Sequence, residues 1–140
     1  MLGCGGGGEA TTASGTGAAT IPTAPGQKPK ATTAASCGLG GLLGALDTLE
    51  KRLAAGLSYD QYFEEVDGAR GVYERVDVEK LSLHCLNAWG SPAESALDRY
   101  IEAANIWREC RADPSCGTYT IEPRLQRSWR VASHFLSEIR

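Results

Sequence analysis

The sequence predicts an all-α protein: a small antiparallel helical bundle of about four main helices plus one short helix, with two disulfides and a disordered N-terminal tether. Three observations support this prediction. Apolar residues recur at three- and four-residue intervals from residue 39 onwards, four cysteines lie between residues 37 and 116, and residues 5–36 contain no aromatic side chain. No stretch alternates with a period of two for long enough to make a strand.

Composition divides the 140-residue chain near residue 36. Residues 5–36 are rich in Gly, Thr, Ala and Pro, and Ile21 is their only large aliphatic residue. Such a segment cannot bury enough apolar surface to offset the entropy lost on folding, and as a random coil it would reach about 30 Å. We therefore predict a linker over residues 1–36 and one folded domain over residues 37–140.

The charge of the predicted domain argues against one class of partner. The chain carries a net charge of −3, of which residues 1–36 contribute +1 and the remainder −4. Because binding to phosphates requires a basic face, we expect no nucleic-acid partner. No stretch approaches the run of about 20 apolar residues that a membrane span requires, so we expect no transmembrane helix.

Local signals place the first three helices. The apolar stripe of the first helix falls at Leu39, Leu42, Leu46, Leu49 and Leu53. Ser58 and Gln61 form a capping-box signal, which predicts a second helix over residues 59–76. Asp77 is the predicted cap of a short third helix, and Gly90 is predicted to end it.

The clearest local signal is the segment SPAE at residues 91–94. It supplies a serine for the N-cap, a proline for the first helical position and a glutamate that closes a capping box, so a fourth helix is predicted to begin there. This helix reaches Cys110, and Asp113-Pro114 breaks it. The last helix is predicted to open near Pro123, with apolar residues at heptad spacing: Leu125, Trp129, Ala132, Leu136 and Ile139.

The five cysteines divide by position into Cys4 and a set of four in the folding region. In a domain this small, four cysteines without a CxxC pair favour two disulfides over a metal site, and disulfides imply an oxidising compartment. Four cysteines permit three pairings. We favour Cys110 with Cys116, which would staple the turn between the last two long helices, and Cys37 with Cys85, which would tie the domain's entrance to its middle.

The N-terminus, Met1-Leu2-Gly3-Cys4, resembles the lipobox of bacterial lipoproteins, in which a cysteine after leucine and a small residue receives a diacylglyceryl thioether. The resemblance implies lipidation of Cys4 and an extracytoplasmic location, lipid-anchored at the cell envelope if Cys4 is modified and secreted otherwise. In that family a basic segment and then an apolar segment precede the cysteine. In this sequence only three residues precede Cys4. We expect either an upstream start codon or a chain trimmed near its mature end.

A second resemblance covers residues 97–139. The pattern of Trp107, Cys110, Cys116 and Trp129 is similar to that of small secreted or lipoprotein-like helical proteins of bacteria. It implies the same compartment and a helical fold, and it implies no activity.

Two clusters are candidate metal sites, and neither is assigned as one. His84, with Cys85 and the last two cysteines, has the residue types that zinc prefers, but two adjacent residues on a helix point about 100° apart and converge poorly. Glu64, Glu65 and Asp67 are interpreted as a solvated acidic run, because no EF-hand spacing accompanies them. We expect no metal and no cofactor.

Aromatic and basic residues also recur at helical spacing. Arg124, Arg127 and Arg130 lie opposite the heptad stripe and are interpreted as a solvated face; the sharper hypothesis is contact with anionic headgroups or an acidic partner. The three tryptophans, Trp89, Trp107 and Trp129, are expected in the core.

No serine lies in a G-x-S-x-G elbow, so no catalytic residue is assigned and we expect no enzymatic activity. The leading hypothesis is an extracytoplasmic interaction or structural module that contacts a protein or another envelope component. The alternative is a helical bundle that binds a small ligand or a metal, with an opening between helices and His84 or the acidic run at its mouth.

Overall fold

The computed structural model describes residues 33–139, so Cys4 and all but the last four residues of the predicted tether lie outside the described part. Residues 33–139 form α-helices and no strand, and the all-α prediction is confirmed. The helices are α1 (Gly40–Ala55), α2 (Tyr59–Glu74), α3 (Leu83–Cys85), α4 (Ser91–Ala112) and α5 (Thr118–Ser137). Four of them are long and α3 is a single short turn.

The two disulfides close loops of very different length. Cys37 is bonded to Cys85 across a sequence separation of 48, and their Cα atoms lie 5.7 Å apart. Cys110 is bonded to Cys116 across a separation of 6. This is the pairing favoured from the sequence. The longer bridge fixes the start of the domain to α3, and the shorter one holds the connection between α4 and α5.

A hydrogen-bonded turn over residues 33–38 brings Cys37 to its partner. The Cys37 amide donates to the carbonyl of Thr33 at 3.2 Å, and the Leu39 amide donates to that of Ala34 at 2.9 Å. Gly38 has a φ of 79°, a left-handed conformation that glycine adopts without the steric cost of a Cβ atom. The described structure therefore begins within the last residues of the predicted linker.

The capping box at the start of α2 is present as predicted. The Gln61 amide donates to the Ser58 hydroxyl at 3.2 Å, and the Ser58 amide donates to the Gln61 side chain at 3.0 Å. Two of the amides that a helix N-terminus leaves without helical partners are thereby satisfied. The helix ends at Glu74, two residues before the predicted boundary.

Helix α4 begins at Ser91 as predicted, but Ser91 does not cap it and the helix does not start from a break in the chain. Gly90 and Ser91 both have helical dihedrals, and a π-helical turn over Leu86–Gly90 joins α3 to α4 without a break. Pro92 explains the wider turn, because proline lacks an amide hydrogen and its ring collides with the carbonyl four residues back. The Ser91 amide donates to the Leu86 carbonyl five residues back instead.

Asp77 and Glu94 do not have the capping roles that were predicted for them. Asp77 makes no side-chain cap; it precedes a 3-10 turn, and Ser82 caps α3 by accepting from the Cys85 amide at 3.1 Å. Glu94 closes no capping box but accepts a 2.6 Å hydrogen bond from the Tyr73 hydroxyl. That bond, with burial and the nearby carboxylates, raises the pKa of Tyr73 to about 12. It ties α2 to α4.

The difference between Ser58 and Ser91 gives a testable pair of substitutions. Ser58→Ala is expected to lower the free energy of unfolding by about 1 kcal/mol, because it removes a real N-cap. Ser91→Ala is expected to leave that energy within about 0.5 kcal/mol of wild type, since Ser91 is an exposed helical residue without a capping bond. Urea unfolding of both variants measures the contrast, and an equal loss at the two positions would contradict the continuous helix.

The last helix begins at Thr118, five residues before the predicted start near Pro123. Proline lies inside its second turn, where the missing amide hydrogen deprives the Tyr119 carbonyl of its helical partner. Tyr119 is 83% exposed, so water can satisfy that carbonyl at little cost. The proline is therefore tolerated within α5 and does not mark its start.

The core lies between α4 and the other three long helices. The largest fully buried side chains are Leu39, Leu42, Leu46, Leu49, Tyr62, Leu97 and Tyr100. Helix α4 packs most extensively against α5 and also against α2 and α1, whereas α1 and α5 make little or no contact with each other. The bundle is therefore open along one side, between its first and last helices.

Candidate binding groove between α1 and α5

A groove of about 890 Å³ occupies the open side of the bundle. Helix α5 contributes one wall, formed by Gln126, Trp129, Arg130, Ser133 and His134. Helix α1 contributes the other wall, formed by Asp47, Glu50, Lys51, Leu53 and Ala54. The buried Tyr100 of α4 lies between the walls. Residues three or four apart share a helix face, so each wall is one face of its helix.

The groove extends towards the start of α1. A second, smaller cavity of about 270 Å³ shares Asp47 with the groove and is lined by Leu43, Gly44, Leu136 and Ile139. Residues 43–54 of α1 therefore border two adjoining cavities, which at 1.5 Å per residue extend together over about 17 Å. The smaller cavity is lined mainly by apolar side chains, whereas the groove is lined by both charged and apolar side chains.

Trp129 is held in the groove by an aromatic cluster and a hydrogen-bond chain. Its ring lies 5.5 Å from that of Tyr62 and 6.3 Å from that of Trp107, centroid to centroid. The Trp129 indole N–H donates to the Tyr62 hydroxyl at 3.0 Å, and that hydroxyl donates to the Tyr100 carbonyl at 2.7 Å. Burial raises the pKa of Tyr62, so the hydroxyl stays protonated and the chain intact. Trp129 is thus a half-buried aromatic surface of fixed orientation.

The two walls differ in charge. On α1, Asp47 and Glu50 outnumber Lys51, which pairs with Asp47 at 2.9 Å. On α5, Arg130 is exposed and forms no ion pair with any of residues 33–139, and His134 lies 3.3 Å from Glu138. The α1 wall therefore has a net negative charge and the α5 wall a positive one.

The candidate zinc ligands are not brought together. Cys85 is bonded to Cys37, and the last two cysteines are bonded to each other, while His84 is exposed on α3. Across the described residues, no group of three or more His, Cys, Asp or Glu side chains is placed to hold a metal ion. The cysteines have a structural role here.

The acidic run on α2 borders a shallow depression. Glu64 and Asp67 are exposed, whereas Glu65 is half-buried and forms an ion pair with Arg52 of α1. Glu64 and Glu65 line a cavity of about 470 Å³ over Gly44 and Gly68. The interpretation as a solvated face fits Glu64 and Asp67, and Glu65 instead helps to join two helices.

The three arginines of α5 are exposed but do not form one surface. Arg124 and Arg127 border a small cavity of about 170 Å³ on the side that faces Arg99 of α4, while Arg130 lines the groove. Trp107 and Trp129 pack together and are half-buried, as is Trp89. The position of the groove does not follow from the sequence, because periodicity shows which face of a helix is apolar but not which helices touch.

Comparisons with protein-family models, with curated proteins and with solved structures found no match to this chain. None of the helices in residues 33–139 combines the length and the apolar character of a membrane span.

Proposed function

We propose that this protein is a non-enzymatic, extracytoplasmic module that binds a helical segment of a protein partner in the groove between α1 and α5. A lipid on Cys4 holds it at a membrane, and residues 5–32 act as the tether. The observation that carries the proposal is the open groove with Trp129 fixed in its wall.

The shape and composition of the groove support a helical occupant. Together with the adjoining smaller cavity, it is bordered by two helices along about 17 Å, which is the length of three helical turns. Helices dock in such grooves through an apolar stripe with residues at three- and four-residue intervals. A preorganised tryptophan beside aliphatic side chains is typical of residues that supply much of the binding energy at interfaces. Trp129 and Leu53 fit this description.

The two disulfides support the extracytoplasmic location in this proposal. Two disulfides in a domain of this size are typical of proteins outside the reducing cytoplasm. The lipobox-like residues before Cys4 supply the attachment in this proposal. Between Cys4 and the first described residue, Thr33, the linker composition would let the domain move away from lipid headgroups.

Photocrosslinking in the native envelope tests the docking site with adjacent positions. Ala54 lines the groove, whereas Ala55 is exposed and outside its lining. A benzophenone side chain at residue 54 is expected to crosslink to a protein, and the same group at residue 55 is expected to yield much less adduct. Equal crosslinking at the two positions, or none at residue 54, would contradict helical docking in the groove.

The alternative is a small-ligand site in the same groove. Its volume of about 890 Å³ falls within the range of about 300 to 1,000 Å³ that is usual for ligand pockets. A small ligand would quench or shift the fluorescence of Trp129 without any protein crosslink from residue 54. That result would favour the alternative over a protein partner.

A further inference from the structure

We infer that the protein partner at this groove is a second copy of this chain, in a two-fold symmetric dimer in which the two grooved faces pack together and α1 of each copy lies along α5 of the other. The inference rests on the proposed function, because it names the partner of the same groove. It is drawn from the opposite charges of the two walls and from the direction in which the helices run.

The opposite charges select one arrangement of two facing grooves. A two-fold axis parallel to the helices places α1 of each copy opposite α5 of the other, so that the negative wall meets the positive wall twice. An axis perpendicular to the helices in the interface places α1 against α1 and α5 against α5, where like charges repel. The parallel axis is therefore the favourable one, and it makes the surface self-complementary, as a two-fold interface requires.

Under this axis, the charged residues of the two walls lie at matching positions along the length of the helices. Helices α1 and α5 run antiparallel, since Leu43 near the start of α1 shares a cavity with Ile139 beyond the end of α5. Glu50, two turns further along α1, therefore lies within one turn of the height of Arg130. Because a parallel axis preserves height, Glu50 of each copy faces the partner's Arg130.

Apolar contacts follow the same symmetry. Leu53 and Trp129 line the same end of the groove, on opposite walls. The parallel axis places Trp129 of each copy against the partner's Leu53, so the dimer covers the half-buried indole ring of both. In this contact a fixed aromatic ring packs against an aliphatic side chain, and charged residues surround the pair. An apolar centre with a polar rim is usual in stable interfaces.

The position of the tethers agrees with this dimer. An axis parallel to the helices keeps α1 pointing in the same direction in both copies, so both chains enter at the same end of the dimer. This arrangement suits two copies that are anchored in one membrane, because both tethers leave the dimer on the same side. Anchoring also raises the effective concentration of one copy around the other, which favours association.

Charge reversal in the full-length chain tests the dimer. The oxidised protein carries Cys4→Ser, so that an intermolecular disulfide cannot mimic association, and its mass is measured by sedimentation equilibrium from micromolar to near-millimolar concentration. We expect a monomer–dimer equilibrium. Glu50→Arg and Arg130→Glu each place like charges opposite each other twice and are expected to weaken association by about tenfold or more.

A mixture of the two reversed variants provides the decisive control. In a heterodimer, Arg at position 50 of one copy faces Glu at position 130 of the other, and the second pair is the unchanged Glu50 with Arg130. Association is therefore expected to recover in the mixture to near the wild-type strength, which a variant that failed to fold would not allow.

Three results would overturn the inference: a monomer at every concentration, a dimer that neither reversal weakens, or a mixture that associates no better than its components. Crosslinking from residue 54 to a different protein, together with a monomeric mass, would leave the proposed helical docking in place while removing the second copy as its partner.

Discussion

Replacing Cys37 and Cys85 together by serine is expected to lower the free energy of unfolding by about 4 kcal/mol, and replacing Cys110 and Cys116 together by about 2 kcal/mol. The difference follows from loop length: the bridges span 48 and 6 residues, and a longer loop removes more entropy from the unfolded chain. Since small domains are stable by about 5 to 15 kcal/mol in total, the first loss is the more serious.

Denaturant unfolding of the two double variants, each with its other disulfide intact, measures this difference. Mass spectrometry confirms the remaining bridge in each protein before unfolding. A smaller loss from the Cys37 and Cys85 pair than from the Cys110 and Cys116 pair would show that the long bridge does not constrain the unfolded chain as the loop model requires.

The Tyr62→Phe variant is expected to be less stable by about 2 kcal/mol, because it removes the hydroxyl that links the Trp129 indole to the Tyr100 carbonyl. The Trp129 indole N–H loses its acceptor, and the Tyr100 carbonyl loses a donor. Tyr119→Phe is the matched control: Tyr119 is 83% exposed, so the same chemical change is expected to leave the stability nearly unaltered.

The contribution of Tyr62 should also depend on pH in one direction. Burial raises the pKa of its phenol above the ordinary value of 10.0, so the folded state favours the protonated form. The contribution is therefore complete below pH 10 and is lost as the pH rises towards the higher folded-state pKa. The stability difference between wild type and Tyr62→Phe should narrow in that range, and a difference that widened with pH would contradict a protonated, buried hydroxyl.

The sequence predicted the helices well because their apolar stripes are long and regular. Leu42, Leu46 and Leu49 of α1 are all buried, as expected of one helix face. The capping box at Ser58 was also predictable, since both of its partners are three residues apart and nothing competes for them. Where local signals and tertiary packing agree, the pattern alone was sufficient.

The local signals at Ser91 gave the start of α4 but not its cap, because the chain is already helical before Ser91. Ala93 and Ala96 are fully buried and require α4 to stay helical, while the π-turn over Leu86–Gly90 makes room for Pro92 without ending the helix. A sequence pattern cannot show that a proline ring is accommodated in this way. The α-helix therefore begins at Ser91 as predicted, but Ser91 continues a preceding π-helical turn and does not act as an N-cap.

The groove could not be predicted because it depends on a missing contact. Trp129 belongs to the heptad stripe of α5 and was expected to be buried, yet α1 and α5 stay apart and leave it half-buried. The lining of α1 mixes Asp47, Glu50 and Lys51 with Leu53. Such a face is indistinguishable in sequence from an ordinary solvated one until its neighbour is known.

The intact mass of the protein isolated from native membranes, after alkylation of its free thiols, tests most directly the claim that it is a lipid-anchored extracytoplasmic module. The expected species begins at Cys4, carries a diacylglyceryl thioether there, and has no alkylated cysteine because Cys37, Cys85, Cys110 and Cys116 are all paired. A species with an unmodified lipid-free Cys4 and four alkylated cysteines in the domain would contradict both the anchor and the compartment.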